Sequence, residues 1–354
     1  MNVMYAKAIG ITQGIIGREV NSDMWLSTVL GILQGVAVAY IVAKLMQYAP
    51  EFSMVEMAGK LIGTWAGKGI AVLIFLFFLG TFATVMVTFV YHLMDYFLPE
   101  APTILFVVAA LMVGLYGAYH GLEVMSRMAF VGVFSMLTLN ILVLFGSVRE
   151  MDVRNILPVM DSGLVPTLWA SRHFDTDWAF AVMLIALLLP HVKRSARLAR
   201  VSAVSVGLAG ISIVMWPIME STVLSAEATS QYIVACMQLA RSAHIGLFLH
   251  RYEMIMIAFF ATSSLIQVMM CLFCASLSAS KLLGLKDYRP MLLPTGAILG
   301  AFAYWIVADH MRAMEFTAHQ WPLISLPIVL GLPLVIGILY LFFKDKLKAN
   351  QTPS

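Results

Sequence analysis

Few residues in this 354-residue chain have both the type and the spacing to do chemistry. Cys271 and Cys274 stand at i, i+3 inside an apolar run, a spacing that suits redox or metal binding. No histidine lies near them in sequence, so they and Cys236 read as small packing residues. His92 and Asp95 share the same spacing at the end of another apolar run, where an interfacial pair is expected over a proton-linked one. Glu220 follows Trp216-Pro217 at a span end and reads as a headgroup-level residue, the alternative being a gating or proton-linked group. Zinc-protease, phosphate-loop and nucleophile-elbow motifs are absent, so no enzyme, metal or cofactor is expected. Two other stretches invite a ligand: the glycines Gly10, Gly14 and Gly17 around Ile11-Thr12-Gln13, and the polar run Asp175-Thr176-Asp177 ahead of Trp178.

The elements that must carry these residues are written in the composition. Apolar residues make up 61% of the chain and charged residues 12%, with a mean hydropathy of +0.90. A soluble domain carries about 25% charge, so the solvent here is lipid. Eight runs reach the roughly 20 residues needed to cross the hydrocarbon core: Met24–Ala43, Gly69–Tyr91, Thr103–Leu122, Met128–Val148, Val201–Met219, Met254–Ser280, Pro290–Ala308 and Phe316–Phe343. Met1–Gly17, interrupted by Lys7, and Trp178–Pro190 bring the expectation to about ten. The runs do not alternate apolar and polar residues, so the spans are helices and not barrel strands.

The N-terminus has no basic region followed by a cleavage site, so it does not read as a signal peptide. Without a long polar linker, residues 1–348 read as one polytopic membrane domain and 349–354 as a short cytoplasmic tail. With both termini cytoplasmic, thirteen Lys and Arg fall on the inner side and seven on the outer, with Lys7 and Lys44 left unassigned. The densest basic run, Lys193–Arg200, then lies inside, against anionic lipid. Pro50–Lys68 is amphipathic, with Phe52, Val55, Ala58 and Ile62 on one face, and reads as an interfacial helix. Glu227–Arg251 reads as an outer segment with a second surface helix. The net charge of +3 gives no reason to expect nucleic acid.

Ten helices divide into five and five, and the first of each half is irregular. The fold class expected is therefore an all-α integral membrane protein, a five-plus-five inverted repeat with interrupted helices 1 and 6. In such a fold, unwound backbone at mid-membrane offers N–H and C=O groups to a small ligand. The alternatives are a close-packed glycine helix at the first position and a short helix 6 after an outer loop.

Several stretches resemble the spore germination permease family, the B subunits of nutrient germinant receptors, within the amino acid–polyamine–organocation superfamily. The segment Leu282-Leu283-Gly284-Leu285-Lys286-Asp287-Tyr288-Arg289-Pro290 resembles that family's loop after helix 8. In the same order and spacing, Asp23-Met24-Trp25-Leu26-Ser27 resembles the start of helix 2, Ser53–Lys60 the segment before helix 3, and Gly121–Arg127 the loop between helices 4 and 5. Asn155–Val159 and Gly163–Pro166 resemble the approach to helix 6, and Arg251-Tyr252-Glu253 the start of helix 8. Glu123 and Arg127, at i, i+4, are expected to pair there.

The resemblance implies a nutrient-sensing subunit in the inner membrane of the spore, with an amino acid as the expected ligand and A-type and C-type receptor subunits as partners. It places the ligand between helices 1, 3, 6 and 8, at Gly10, Thr12, Gly14, Asp175, Thr176, Asp177 and Trp178. A secondary transporter with net amino acid flux is the alternative function, and a scaffolding subunit with a vestigial site a third. The chain departs from the family pattern in three ways. Its lead before Asp23 is about half a helix short, so either helix 1 lacks its inner half or translation starts upstream of Met1. Thr84–Val90 carries no Arg, and Ala179–Leu189 carries no acid.

Overall fold

The structure, a computed structural model, describes residues 1–192, 197–244 and 252–349. Lys193, Arg194, Arg251 and the part of the expected tail from 350 onward lie outside the described residues, as do the side chains from 343 onward.

The first helix consists of α1 (Asn2–Lys7), a π-helical turn (Ala8–Thr12) and α2 (Gln13–Val20). After a 3-10 turn (Asn21–Asp23) come α3 (Met24–Met46), the short α4 (Met54–Ile62), α5 (Thr64–Met94), α6 (Thr103–His120) and α7 (Leu122–Ser147). The second part holds α8 (Leu164–Ala170), α9 (Arg172–Leu188), α10 (Leu198–Leu224), α11 (Ala226–Gln231), α12 (Ala235–Ser242) and α13 (Tyr252–Leu283). It closes with α14 (Leu292–Val307), α15 (His310–Glu315), a second π-helical turn (Phe316–Gln320) and α16 (Trp321–Ala349). Among the described residues, eight helical runs are long and apolar enough to cross a membrane. The first of these, Asn2–Met46, is broken at Asn21, whose φ of 44° is tolerated by an Asn side chain. Arg172–Leu188, at 17 residues, is an additional helix just below that length.

Burial shows which helices are central. Residues 4–17 of helix 1, 80–92 of α5, 173–183 of α9 and 266–280 of α13 are buried on every face. A helix that is buried all round is packed on all sides by other helices. The π-helical turn of helix 1 touches α5, α9, α10 and α12, while α3 packs on α9 and α10. By contrast α6, α7, α14 and α16 expose large apolar side chains such as Tyr116, Phe130, Phe145, Leu293 and Leu334. These outer faces are the ones lipid covers.

Three expectations are corrected. Helix 1 does not unwind: it stays helical, and the π-helical turn takes up its irregularity. An unwound stretch among apolar neighbours would leave backbone groups unpaired; here the carbonyl of Ala8 accepts from Gln13 Nε2 at 3.0 Å. Asp175-Thr176-Asp177 is no break either but part of α9, with the Asp175 N–H donating to the Ser171 carbonyl at 2.9 Å. Nor is the Glu227–Arg251 segment a surface helix: Cys236, Met237, Leu239 and Ala240 of α12 are buried against α7, α10 and α13. The pairing of Arg127 with Glu123, at 2.5 Å between exposed side chains, is as expected.

The amphipathic segment Pro50–Lys68 forms a shorter helix than expected, α4, which ends at Gly63 before α5 begins and leaves Ile62 exposed; its start is locked by a capping box. Ser53 N–H donates to Glu56 Oε2 at 2.7 Å, and Met54, Val55, Met57, Ala58 and Leu61 face inward. Lys281, from the end of α13, reaches Glu56 Oε1 at 3.0 Å and also donates to Ser53 Oγ. Partial burial works to raise the Glu56 carboxyl, but the Ser53 N–H and the Lys281 ammonium outweigh it and hold the group below the usual carboxylate range. A depressed carboxylate adds stability above its unfolded value, and that stability is lost as the pH falls through its folded value. Acidification below the ordinary Glu range is therefore expected to loosen α4 and make 49–53 cleavable by limited proteolysis. Glu56→Gln should show the same cleavage already at neutral pH; equal protection of both proteins at neutral pH would rule this latch out.

Candidate functional site

A lysine sits at the centre of the bundle. Lys7 is buried where α1 meets the π-helical turn, and its Nζ lies 2.6 Å from Asp177 Oδ1 on α9. The ammonium has three protons, and three acceptors surround it: Asp177, Thr176 Oγ1 at 2.8 Å and Thr12 Oγ1 at 3.3 Å. Thr12 in turn donates to the second carboxylate oxygen of Asp177 at 3.0 Å, and Thr176 to the His173 carbonyl at 2.8 Å. Opposite charges are thereby paired and hydrogen-bonded away from water, the condition for carrying charge in a low-dielectric interior.

The π-helical turn makes this geometry. In a regular α-helix, residues five apart point about 140° away from each other. The i→i+5 spacing of a π turn brings them one above the other, so Lys7 and Thr12 can grip the same carboxylate. Thr28 from α3 supports the turn by donating to Gln13 Oε1 at 3.1 Å.

Asp175 looks the other way. It accepts from Trp178 Nε1 at 2.8 Å and, with the Gln34 amide turned as its neighbours require, from that nitrogen at 2.7 and 3.0 Å. Trp178 lies flat on Gly35, where a Cβ would stand 2.6 Å from the indole Cγ. One end of the site is closed by Glu19, at the end of α2, which takes a two-pronged contact from Arg172 at 2.6 and 2.7 Å and a third from His173 Nε2 at 2.9 Å. Beyond α1, a second polar knot ties Tyr5 OH to Asn140 Oδ1, with Trp216 Nε1 donating to both.

Of the residues expected from sequence, Thr12, Thr176 and Asp177 come together, while Asp175 and Trp178 form a neighbouring pair facing α3. Gly10 and Gly14 stand apart from this cluster. A Cβ on Gly10 would sit 2.7 Å from His92 Cε1, and one on Gly14 would sit 2.7 Å from the Tyr232 carbonyl oxygen, so both glycines are close-approach points of helix 1. His92 does not pair with Asp95: it is fully buried, stacked on Phe260 at 3.8 Å and 3.4 Å from Cys236 Sγ. Glu220 is likewise fully buried. Lys7 was legible as the one charge inside the first apolar run, and a charge within a span is by default functional; the Glu19–Arg172–His173 contact had no sequence signal. Among the described residues no group of three or more His, Cys, Asp and Glu could hold a metal ion.

The architecture is that of membrane transporters. The chain superposes over 98% of its length on 98% of MhsT in complex with L-phenylalanine, with a TM-score of 0.61 and 13% identity. It also matches a mutant of the Eremococcus coleocola manganese transporter, with a TM-score of 0.57 and 14% identity over 98% of this chain and 78% of that one. Within that architecture the chain belongs to the spore germination protein family, whose profile matches residues 2–311. Its relatives include three proteins of Bacillus subtilis (strain 168). Spore germination protein YndE is 24% identical over 84% of this chain and 83% of its own length. Putative spore germination protein YfkT is 24% identical over 97% and 94%, and Spore germination protein KB is 21% identical over 95% and 91%.

Breaking a buried ion pair on one side leaves the other charge without compensation, at a cost of about 3–5 kcal/mol. Lys7→Met alone should therefore lower the thermal midpoint of the detergent-purified protein sharply. The double variant Lys7→Met with Asp177→Leu should recover most of the loss. A single variant that melts like the wild type would show that the pair does not carry the site.

Proposed function

We propose that this protein is the nutrient-sensing, membrane-embedded subunit of a spore germinant receptor, and that its ligand is an amino acid bound where helix 1 meets α9. The observation that carries this reading is the buried Lys7–Asp177 pair with Thr12 and Thr176. An amino acid zwitterion presents the same two charges. Its carboxylate can take over Lys7 and its amine Asp177, so that the ligand replaces an internal pair without stranding either charge. Such an exchange of partners loosens the tie between helix 1 and α9, and the differential affinity for the two arrangements is what shifts the bundle between states. Asp175 and Trp178 form the α3 side of the site, and Gly10 and Gly14 set how closely helix 1 approaches.

Around this site we read ten spanning helices in a single domain over residues 1–348, a five-plus-five repeat in which helix 1 and α8–α9 are the irregular members. Both termini face the cytoplasm, and the membrane is the inner membrane of the spore. Family membership supports A-type and C-type receptor subunits as partners. A second reading, an amino acid transporter with net flux, is favoured by the likeness to transporter structures.

The test is deletion of the gene in its host, followed by dipicolinate release from purified spores across a panel of amino acids, sugars and nucleosides. Loss of response to one amino acid, restored by the wild-type gene, is the expected result. A charged hydrogen bond contributes about 1.5–3 kcal/mol, so complementation with Asp177→Asn should need roughly 10- to 100-fold more of that amino acid. Unchanged responses to every nutrient, together with accumulation of labelled amino acid by vesicles containing the protein, would replace the sensor with the transporter.

A further inference from the structure

The Lys7 cluster accounts for one buried carboxylate and leaves another. Glu220 lies in α10 three residues after Pro217, is 0% exposed, and has no hydrogen-bond partner on either carboxyl oxygen among the described residues. The buried or half-buried cations nearest the core are committed elsewhere: Lys7 to Asp177, Arg172 to Glu19 and Lys281 to Glu56.

What faces Glu220 is uncharged. Its carbonyl accepts from Thr229 Oγ1 of α11 at 3.3 Å. The Cys236 thiol of α12 lies within its electrostatic reach. Cys236 Sγ is 3.4 Å from His92 Nε2 of α5, and the Tyr5 and Tyr96 phenols are near the same thiol. His92 Nδ1 lies 2.7 Å from the Thr88 carbonyl, a contact that requires the ring proton on Nδ1 and leaves Nε2 as an acceptor for the thiol. The other elements packed on α10 are α1, α3, α7, α9, the π-helical turn and the 3-10 turn Val153–Ile156, and among the described residues none of them gives either carboxyl oxygen of Glu220 a hydrogen bond.

An ionised carboxylate in such surroundings is costly by many kcal/mol, and a group so placed takes up a proton instead. We propose that Glu220 is a proton-binding site of the bundle, occupied as a neutral carboxylic acid in this state and separate from the Lys7–Asp177 cluster. Beside it, α12 carries Cys236, which contacts His92, and His92 Cε1 in turn fills the space of the missing side chain at Gly10 in the π-helical turn.

The test is infrared spectroscopy of the purified full chain, independent of any nutrient and of the receptor reading. The difference between wild type and Glu220→Gln at neutral pH should contain the C=O stretch of a protonated carboxylic acid. Carboxylate bands in its place would overturn the proposal. Gln is a neutral isostere of the acid, so the variant is expected to accumulate and melt like the wild type; failure to fold, or a large drop in midpoint, would also count against a neutral Glu220. Carbon-13 labelling of glutamate in the unsubstituted chain gives a reading that needs no variant: a protonated glutamate band at neutral pH supports the site, and its absence overturns it.

Discussion

A lysine ammonium among apolar helices must find its counter-charge inside the protein, because neither lipid nor water reaches it there. Lys7 is in that position, and the centre of the bundle is arranged around its demand. Asp177 provides the charge, Thr12 and Thr176 provide the remaining acceptors, and α9 is held against helix 1 as a result. Glu19 with Arg172 and His173 repeats the tie at the far end of the same two helices. Helix 1 and α9 are thus tied at two levels by charged and hydroxyl side chains. Polar ties with few alternative partners are the kind that exist in two discrete arrangements, and a charged ligand can exchange them.

The same logic separates Asp177 from Glu220, two of the buried acids. Asp177 has the Lys7 nitrogen at 2.6 Å and so holds a partner. Glu220 has none among the described residues, so holding a proton is its way of staying buried. The π-helical turn touches both α9, which carries Asp177, and α12, which packs on α10 beside Glu220.

Hydropathy made the spans legible. Each helix in lipid must satisfy its own backbone, so a charge-free run of sufficient length has few alternatives to a helix. Helix α4 was legible for a related reason, since its amphipathic spacing is a local pattern, while the Ser53–Glu56 capping box that starts it came from the structure. The colinear family segments were legible as well, and the match over residues 2–311 agrees with them. The irregular places were misread in form: glycines and acids in a span suggested broken backbone, whereas π-helical geometry and partners across the bundle let both helices continue.

The sequence by itself determined the solvent, the helical class, the approximate spans and the family, because these depend on local composition and pattern. The tertiary structure decided which polar residues meet. Lys7 and Thr12 share a carboxylate only because a π turn changes the helical phase between them, and Asp177 rather than Asp175 receives Lys7 because of the rotation of α9. Glu220 is buried inside the bundle, where α11 and α12 pack on α10, a packing choice that no spacing along the chain encodes.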